Sequence, residues 1–229
     1  MNHNFILTGC DTDSIMICNR DGGEITVEQR EELLNEVNSL FPEYIKFADD
    51  GYYKSVLYFK AKNYILYDGK KIKYKGSSLK SSTLEPALKQ FIDETVKCLI
   101  EDRQQDVLEV YNSYVKQIYT ITKDNIKQWS SKKTLTDKVY NSERLNERKL
   151  LEAVGTAEYS PGDRVFVFFN EDDGLSLVEN FTEGCYNKER LLEKLYKVSR
   201  RFEVVTDMSN CFNYKLKKNK KLLNDFFNT

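Results

Sequence analysis

Residues 53–76 read YKSVLYFKAKNYILYDGKKIKYKG. An Asp-Gly pair flanked by strand-forming residues is the strongest short-range hairpin signal, because the tight turn demands positive φ that glycine adopts without steric cost. Strands are therefore expected over 56–60 and 63–67, a turn at Asp68-Gly69, and a returning strand over 70–75. Neighbours joined by such short turns pair antiparallel, since a parallel pair needs a crossover of a dozen or more residues.

A second strand-turn-strand pattern precedes it. In LTGCDTDSIMI, residues 7–17, the apolar runs Phe5-Ile6-Leu7-Thr8 and Ile15-Met16-Ile17 flank a tip that carries Asp11 and Asp13. Asp, Thr and Ser are good turn formers because their side chains hydrogen-bond the local backbone, so the tip needs no function to be explained. The alternative is chemical. Residues i and i+2 of a strand share a face, so both carboxylates can approach one Mg2+ or two neighbouring ions. Mg2+ takes one or two carboxylates together with substrate phosphates, which makes a D-x-D pair part of a phosphoryl-transfer site and not a closed cage.

The rest of the chain orders itself around these hairpins. Asp21-Gly-Gly is a turn, and a helix capped by Thr26 follows, with Val27, Leu33, Leu34, Val37 and Leu40 near helical spacing. From residue 83 the texture becomes helical. Pro86 lies in a first turn, and Leu88, Phe91, Ile92, Val96, Leu99 and Ile100 form an apolar stripe. Further helices are expected over 103–118, near 123–129, over 144–154 and over 190–200. A strand is expected within SPGDRVFVFF at 160–169, and an irregular polar stretch over 130–142. The fold class is α+β, with a boundary between residues 1–82 and 83–229.

With 229 residues, 40% apolar and 31% charged, the chain can build a core under a well-solvated surface. No apolar run reaches the roughly 20 residues of a membrane span, and no signal peptide is expected, so the reading is a cytoplasmic protein with no membrane partner. Five scattered cysteines without a CxxC pair suit a reducing compartment. A single histidine, His3, leaves no zinc cluster and no Ser-His-Asp or Cys-His constellation beyond a terminal His3.

The formal net charge of −1 conceals segregation. Lysines crowd residues 53–80 against one acid, Asp68, and basic residues again outnumber acids over 123–149 and 197–221. Acids concentrate over 21–50 and 85–109. Any one such run can be a solvated face. Three of them interleaved with aromatics fit a chain that tracks a phosphate backbone without being basic overall.

Taken in order, CDTDSIMI, KAKNYILYDGKKIKYKG about fifty residues later, and a helical region holding SPGDRVFVFF and RLLEKLYKVSRRFEVV resemble the C-terminal part of a family B DNA polymerase of the phage or viral kind. The resemblance covers nearly the whole chain. It implies a small antiparallel palm sheet with a helix over 1–82, followed by a mostly helical thumb over 83–229. It implies catalytic and metal-ligating roles for Asp11 and Asp13, with Asp13 the direct ligand, Ser14 supporting the turn, and Thr12 between them with its side chain turned away. The lysine-tyrosine motif falls on Lys62 and Tyr64, which would grip the primer end. Its first lysine is Ala61 here; Lys60, one position earlier, would supply the missing charge to the DNA, although on a strand it would point to the opposite side from Ala61. Lys127, Lys132, Lys133, Lys138, Arg144, Arg148 and Lys149 would be thumb surface along the DNA, and Trp129 would be core.

The family's upstream palm motif of D-x-x-S-L-Y-P type, its fingers motif of K-x-x-x-N-S-x-Y-G type and its exonuclease region are absent from this sequence. The implied function is thus the C-terminal portion of a template-directed polymerase, possessing part of a two-metal Mg2+ site and inactive alone. It is either an excised fragment or the C-terminal product of a split gene. Its implied partners are primer-template DNA, deoxynucleoside triphosphates, a portion bearing exonuclease, palm and fingers, and a sliding clamp. Phe5, Ile6, Leu7, Ile15 and Ile17 would form the sticky face toward that portion. The alternative function is a non-catalytic DNA-binding polymerase remnant or replication accessory module.

Overall fold

The computed structural model describes residues 4–76, 79, 81, 83–155 and 159–206. It divides into two compact units, Met1–Lys75 and Gly76–Thr229. The basic tail and His3 lie outside the described residues.

In the first unit, β1 (Phe5–Cys10) and β2 (Ile15–Asn19) form a two-stranded antiparallel hairpin with a register shift between Leu7 and Gly9. Helix α1 (Val27–Ser39) begins at a reciprocal capping box. The Thr26 hydroxyl accepts from the Gln29 N–H at 3.2 Å, and the Gln29 side chain accepts from the Thr26 N–H at 2.9 Å. Strands β3 (Ser55–Lys60), β4 (Asn63–Tyr67) and β5 (Ile72–Lys75) form a separate three-stranded antiparallel sheet in the order β3-β4-β5. The Asp68 carboxylate accepts from the Lys70 and Lys71 amides at 2.8 and 2.7 Å, and Gly69 takes φ +95°, as the Asp-Gly signal requires. The two hairpins belong to different sheets, whereas the sequence suggested one.

This unit has little interior. Among the described residues its buried apolar side chains are Ile25, Phe59, Ile65 and Leu66, and none of them is in α1. The apolar stripe of α1 is only partly covered: Leu33, Leu34 and Val37 are half-buried, while its ends and the segment that follows are open. Val27, Leu40, Phe41, Tyr44 and Ile45 are all exposed.

One contact inside it is unusually tight. A Cβ built on Gly9 would stand 2.3 Å from the Tyr58 hydroxyl and 2.8 Å from its ring carbon. The same hydroxyl donates to Met16 Sδ at 3.1 Å. Gly9→Ala is expected to push the Tyr58 ring off Met16 at a cost of about 1–3 kcal/mol, the range for overpacking. Faster amide exchange along the hairpin in the variant is the measurement, and unchanged exchange would contradict it.

The second unit has two cores. Helices α2 (Pro86–Ile100) and α3 (Val107–Tyr119) bring their apolar faces together with α6 (Lys188–Ser199). Phe91, fully buried, meets Tyr111, Tyr114 and Phe202 edge-on at centroid distances of 6.2, 5.4 and 6.4 Å. Trp129 is buried against Tyr114 at 6.2 Å, a core residue as the sequence suggested. The second core lies on one face of an antiparallel sheet, β6 (Ser131–Thr134), β7 (Arg164–Phe169) and β8 (Leu175–Leu177), with α4 (Asp137–Tyr140) and α5 (Leu145–Val154). Val165 and Val167 of β7 pack there with Leu135, Val139, Leu150 and Leu177. Phe168, on the other face, packs against Phe181 at 5.6 Å.

Strand β6 corrects the expectation of an irregular stretch over 130–142. Ser-Lys-Lys-Thr carries no apolar alternation. It is a strand because its backbone pairs with β7, and an edge position tolerates lysine. A buried Glu85 carboxylate, just ahead of α2, is paired with Lys194 and accepts from the Ser131 hydroxyl at 2.9 Å, tying β6 and α6 to the start of α2. No described helix is long and apolar enough to cross a membrane.

Candidate functional site

The turn between β1 and β2 is closed by the Asp11 N–H donating to the Ser14 carbonyl at 2.8 Å, so Ser14 supports it through its backbone. Asp11 Oδ1 accepts from the Thr12 N–H at 2.8 Å and the Thr12 hydroxyl at 3.3 Å. The Thr12 side chain is therefore not turned away. It folds back on Asp11, because a short hydroxyl beside a carboxylate forms a local turn bond.

The second hairpin reaches the same turn. Lys62 Nζ stands 3.2 Å from Asp11 Oδ1 and donates to Thr12 Oγ1 at 3.3 Å. Lys62 lies with Ala61 in the turn between β3 and β4, at φ +59°. Strand β3 ends at Lys60, so strand parity does not govern 60–62. Lys60, Ala61 and Lys62 all line one cleft of about 270 Å3, with Asp11, Tyr58 and Tyr64. Lys60 and Ala61 are thus both lining residues of the cleft that holds Lys62.

The two carboxylates differ. The Thr12 backbone N–H, then the Lys62 ammonium, hold the Asp11 carboxyl below its ordinary value. A depressed folded value means that the ionised turn is stabilised above the ordinary carboxylate range, and that this contribution is lost as pH falls through the depressed value. Lys62→Met is expected to raise the Asp11 titration midpoint only part of the way to the ordinary value, because the Thr12 amide remains. Carboxyl-carbon NMR titration measures it, and an unmoved midpoint would contradict the contact. Asp13 is exposed, and no hydrogen bond or ion pair of the described residues engages its carboxylate.

Tyr64 is half-buried, and its ring lies 5.8 Å from that of Tyr58 across the β3–β4 pair. Burial first, then the charges of Asp11, Asp50 and Asp13 and the neighbouring Tyr53, raise its hydroxyl above the ordinary tyrosine value, so it is a neutral donor at physiological pH. Burial likewise raises Tyr58. Sequence reasoning missed Gly9, Tyr58 and Met16 as parts of this cleft. The available signal was a glycine inside a strand pattern, which often marks a close approach.

In the second unit the expected basic residues separate. Lys132 pairs with Phe166 and Lys133 with Val165, so alternation sends the two lysines to opposite faces of β6. Lys127 lies over the Phe166 ring at 4.6 Å, which places Lys127 and Lys132 around one aromatic. Arg144 and Arg148 are exposed one helical turn apart at the start of α5, and Lys138 is exposed on α4. Lys149 is engaged internally. Its ammonium donates to the Asp173 carbonyl at 2.6 Å, and Asp173 also takes Arg190 at 2.6 Å. Lys149 is thereby half-buried and paired within the unit, unlike the exposed Arg144 and Arg148.

Comparison with known proteins gives these observations a family. The family model described as DNA polymerase family B matches residues 5–217. The structure of the family B DNA polymerase from the hyperthermophilic archaeon Pyrobaculum calidifontis matches with a TM-score of 0.63 at 17% identity, over 88% of this chain and 27% of that one. At that identity the likeness is one of fold, and this chain spans little more than a quarter of that polymerase's length. No curated protein matches. Because the family match extends from β1 through both units, this chain belongs to DNA polymerase family B.

Proposed function

We propose that this chain is the palm-end and thumb portion of a template-directed DNA polymerase, completed by a portion bearing exonuclease, palm and fingers. The observation that carries this reading is the 3.2 Å approach of Lys62 to Asp11, which brings the D-T-D-S turn and the lysine-tyrosine hairpin to one cleft.

The donor set suits Mg2+ in kind. The turn offers an exposed carboxylate, Asp13, and a second, Asp11, already held in its ionised form. Among the described residues no group of three or more acidic, histidine or cysteine side chains gathers to hold a metal, and in this reading the further carboxylate comes from the other polymerase portion. When bound, the two ions supply an acidified primer 3′-hydroxyl and charge neutralisation on the triphosphate.

Asp13 is the direct ligand and Asp11 the supporting one, with Thr12 and Ser14 fixing the turn. Lys62 and Tyr64 hold the primer end, and Lys60 adds positive charge to the same cleft. Such contacts position the duplex and carry little sequence information, which suits an enzyme that copies any template. In the second unit Lys127, Lys132, Arg144 and Arg148 contact phosphates, with Lys133 serving a different face. The exposed Leu7 and Ile15, with the half-buried Phe5 and Ile17, share the face that the missing palm covers, and the exposed Ile6 lies on the opposite side of β1. A phage or viral source, a split gene and a sliding-clamp partner belong to this same reading.

Mixing the chain with the complementary portion is expected to restore Mg2+-dependent primer extension with deoxynucleoside triphosphates. Failure of the chain to bind duplex DNA even at low salt would overturn the proposal.

A further inference from the structure

Lys62 sits in a conformation that its residue type does not favour. At φ +59° an L side chain is sterically disfavoured, and glycine or asparagine is the usual occupant of such a turn position. A strained backbone angle at a non-glycine residue persists only where the surroundings hold it. Here the surroundings are visible: the ammonium contacts Asp11 Oδ1 and Thr12 Oγ1, on a hairpin fifty residues away in sequence. The ammonium remains largely exposed, so it is held by a contact and not by burial.

Asp11 Oδ1 already accepts from the Thr12 amide and hydroxyl. A divalent cation that approaches this carboxylate competes with the Lys62 ammonium for it, since two cations repel at one oxygen. Lys62 is also the only residue of the second hairpin with a described ion pair to the turn. An ammonium displaced from Asp11 stays in the cleft with Tyr64 and Lys60, where a nucleic-acid phosphate or base edge is its natural next partner.

We propose that Lys62 is an exchangeable counter-ion that couples the two binding events. A divalent cation taken up at the D-T-D-S turn releases Lys62 to the DNA, and DNA that captures Lys62 opens Asp11 to the cation. The inference rests on the metal and DNA roles given above and adds a linkage between them. By linkage, each ligand tightens the other by the same factor, and because the pair that must break is exposed that factor is about two- to fivefold.

The test is duplex binding by fluorescence anisotropy, using a primer-template duplex at constant ionic strength, with Ca2+ or with EDTA, so that no turnover is required. The wild-type chain is expected to bind about two- to fivefold more tightly with Ca2+. Lys62→Gly suits the left-handed turn position and removes only the cation, so it keeps the hairpin; its expected ratio is close to one. Lys62→Arg, which keeps the charge, is expected to retain most of the ratio. A Lys62→Gly ratio equal to wild type overturns the exchange and leaves the polymerase reading standing. A wild-type chain that binds no duplex in either condition overturns both.

Discussion

Asp13→Ala is expected to reduce Mg2+-dependent primer extension by the completed polymerase by about a thousandfold, the upper end of what losing one transition-state-stabilising group costs. The carboxylate is exposed and unengaged, so its removal leaves the turn bonds of Asp11, Thr12 and Ser14 in place. A loss of activity with unchanged thermal unfolding therefore separates chemistry from folding. Duplex affinity in EDTA should stay within about twofold, because Asp13 touches no basic residue of the cleft and its direct Coulomb effect through water is small. Asp13→Ala with extension intact would remove the metal assignment and favour the non-catalytic DNA-binding remnant.

Phe91→Ala carries the largest expected stability loss. The ring is fully buried at the meeting point of α2, α3 and the turn that follows α6, with three aromatic neighbours within 6.4 Å. Truncating such a ring costs about 3–5 kcal/mol, a large share of the roughly 5–15 kcal/mol that stabilises a typical domain. The single tryptophan makes the measurement clean. Trp129 lies in the same core, so its fluorescence during urea unfolding reports the second unit alone. A midpoint shift equivalent to less than about 1 kcal/mol would contradict this account of the core.

What the sequence made legible follows from where local physics dominates. The Asp68-Gly69 turn, the Thr26 cap and the Pro86 start fix their elements through residues a few positions apart, and all three appear as read. The apolar run of β7 is visible because Val165 and Val167 are buried on one face and Phe168 on the other. Strand β6 was not visible, since Lys132 and Lys133 carry no strand signature and only pairing with β7 makes them one. The same holds at the candidate site. Asp11, Asp13, Lys62 and Tyr64 stand out by motif, but the folding back of Thr12, the shared lining of Lys60 and Lys62, and the capture of Lys149 by Asp173 depend on contacts between distant segments. The partly covered stripe of α1 shows the converse. A helical period states which face seeks burial and is silent on what supplies it.

The fit of Tyr58 over Gly9 has a consequence for how such a sequence can drift. A methyl group at position 9 meets oxygen and ring carbon alike, so exchanging Tyr58 for phenylalanine does not make room. Only a smaller or differently branched residue at 58 does. The two positions are therefore expected to change together across generations, with glycine retained wherever an aromatic ring faces it, and with any bulkier residue at 9 arriving only after that ring has gone.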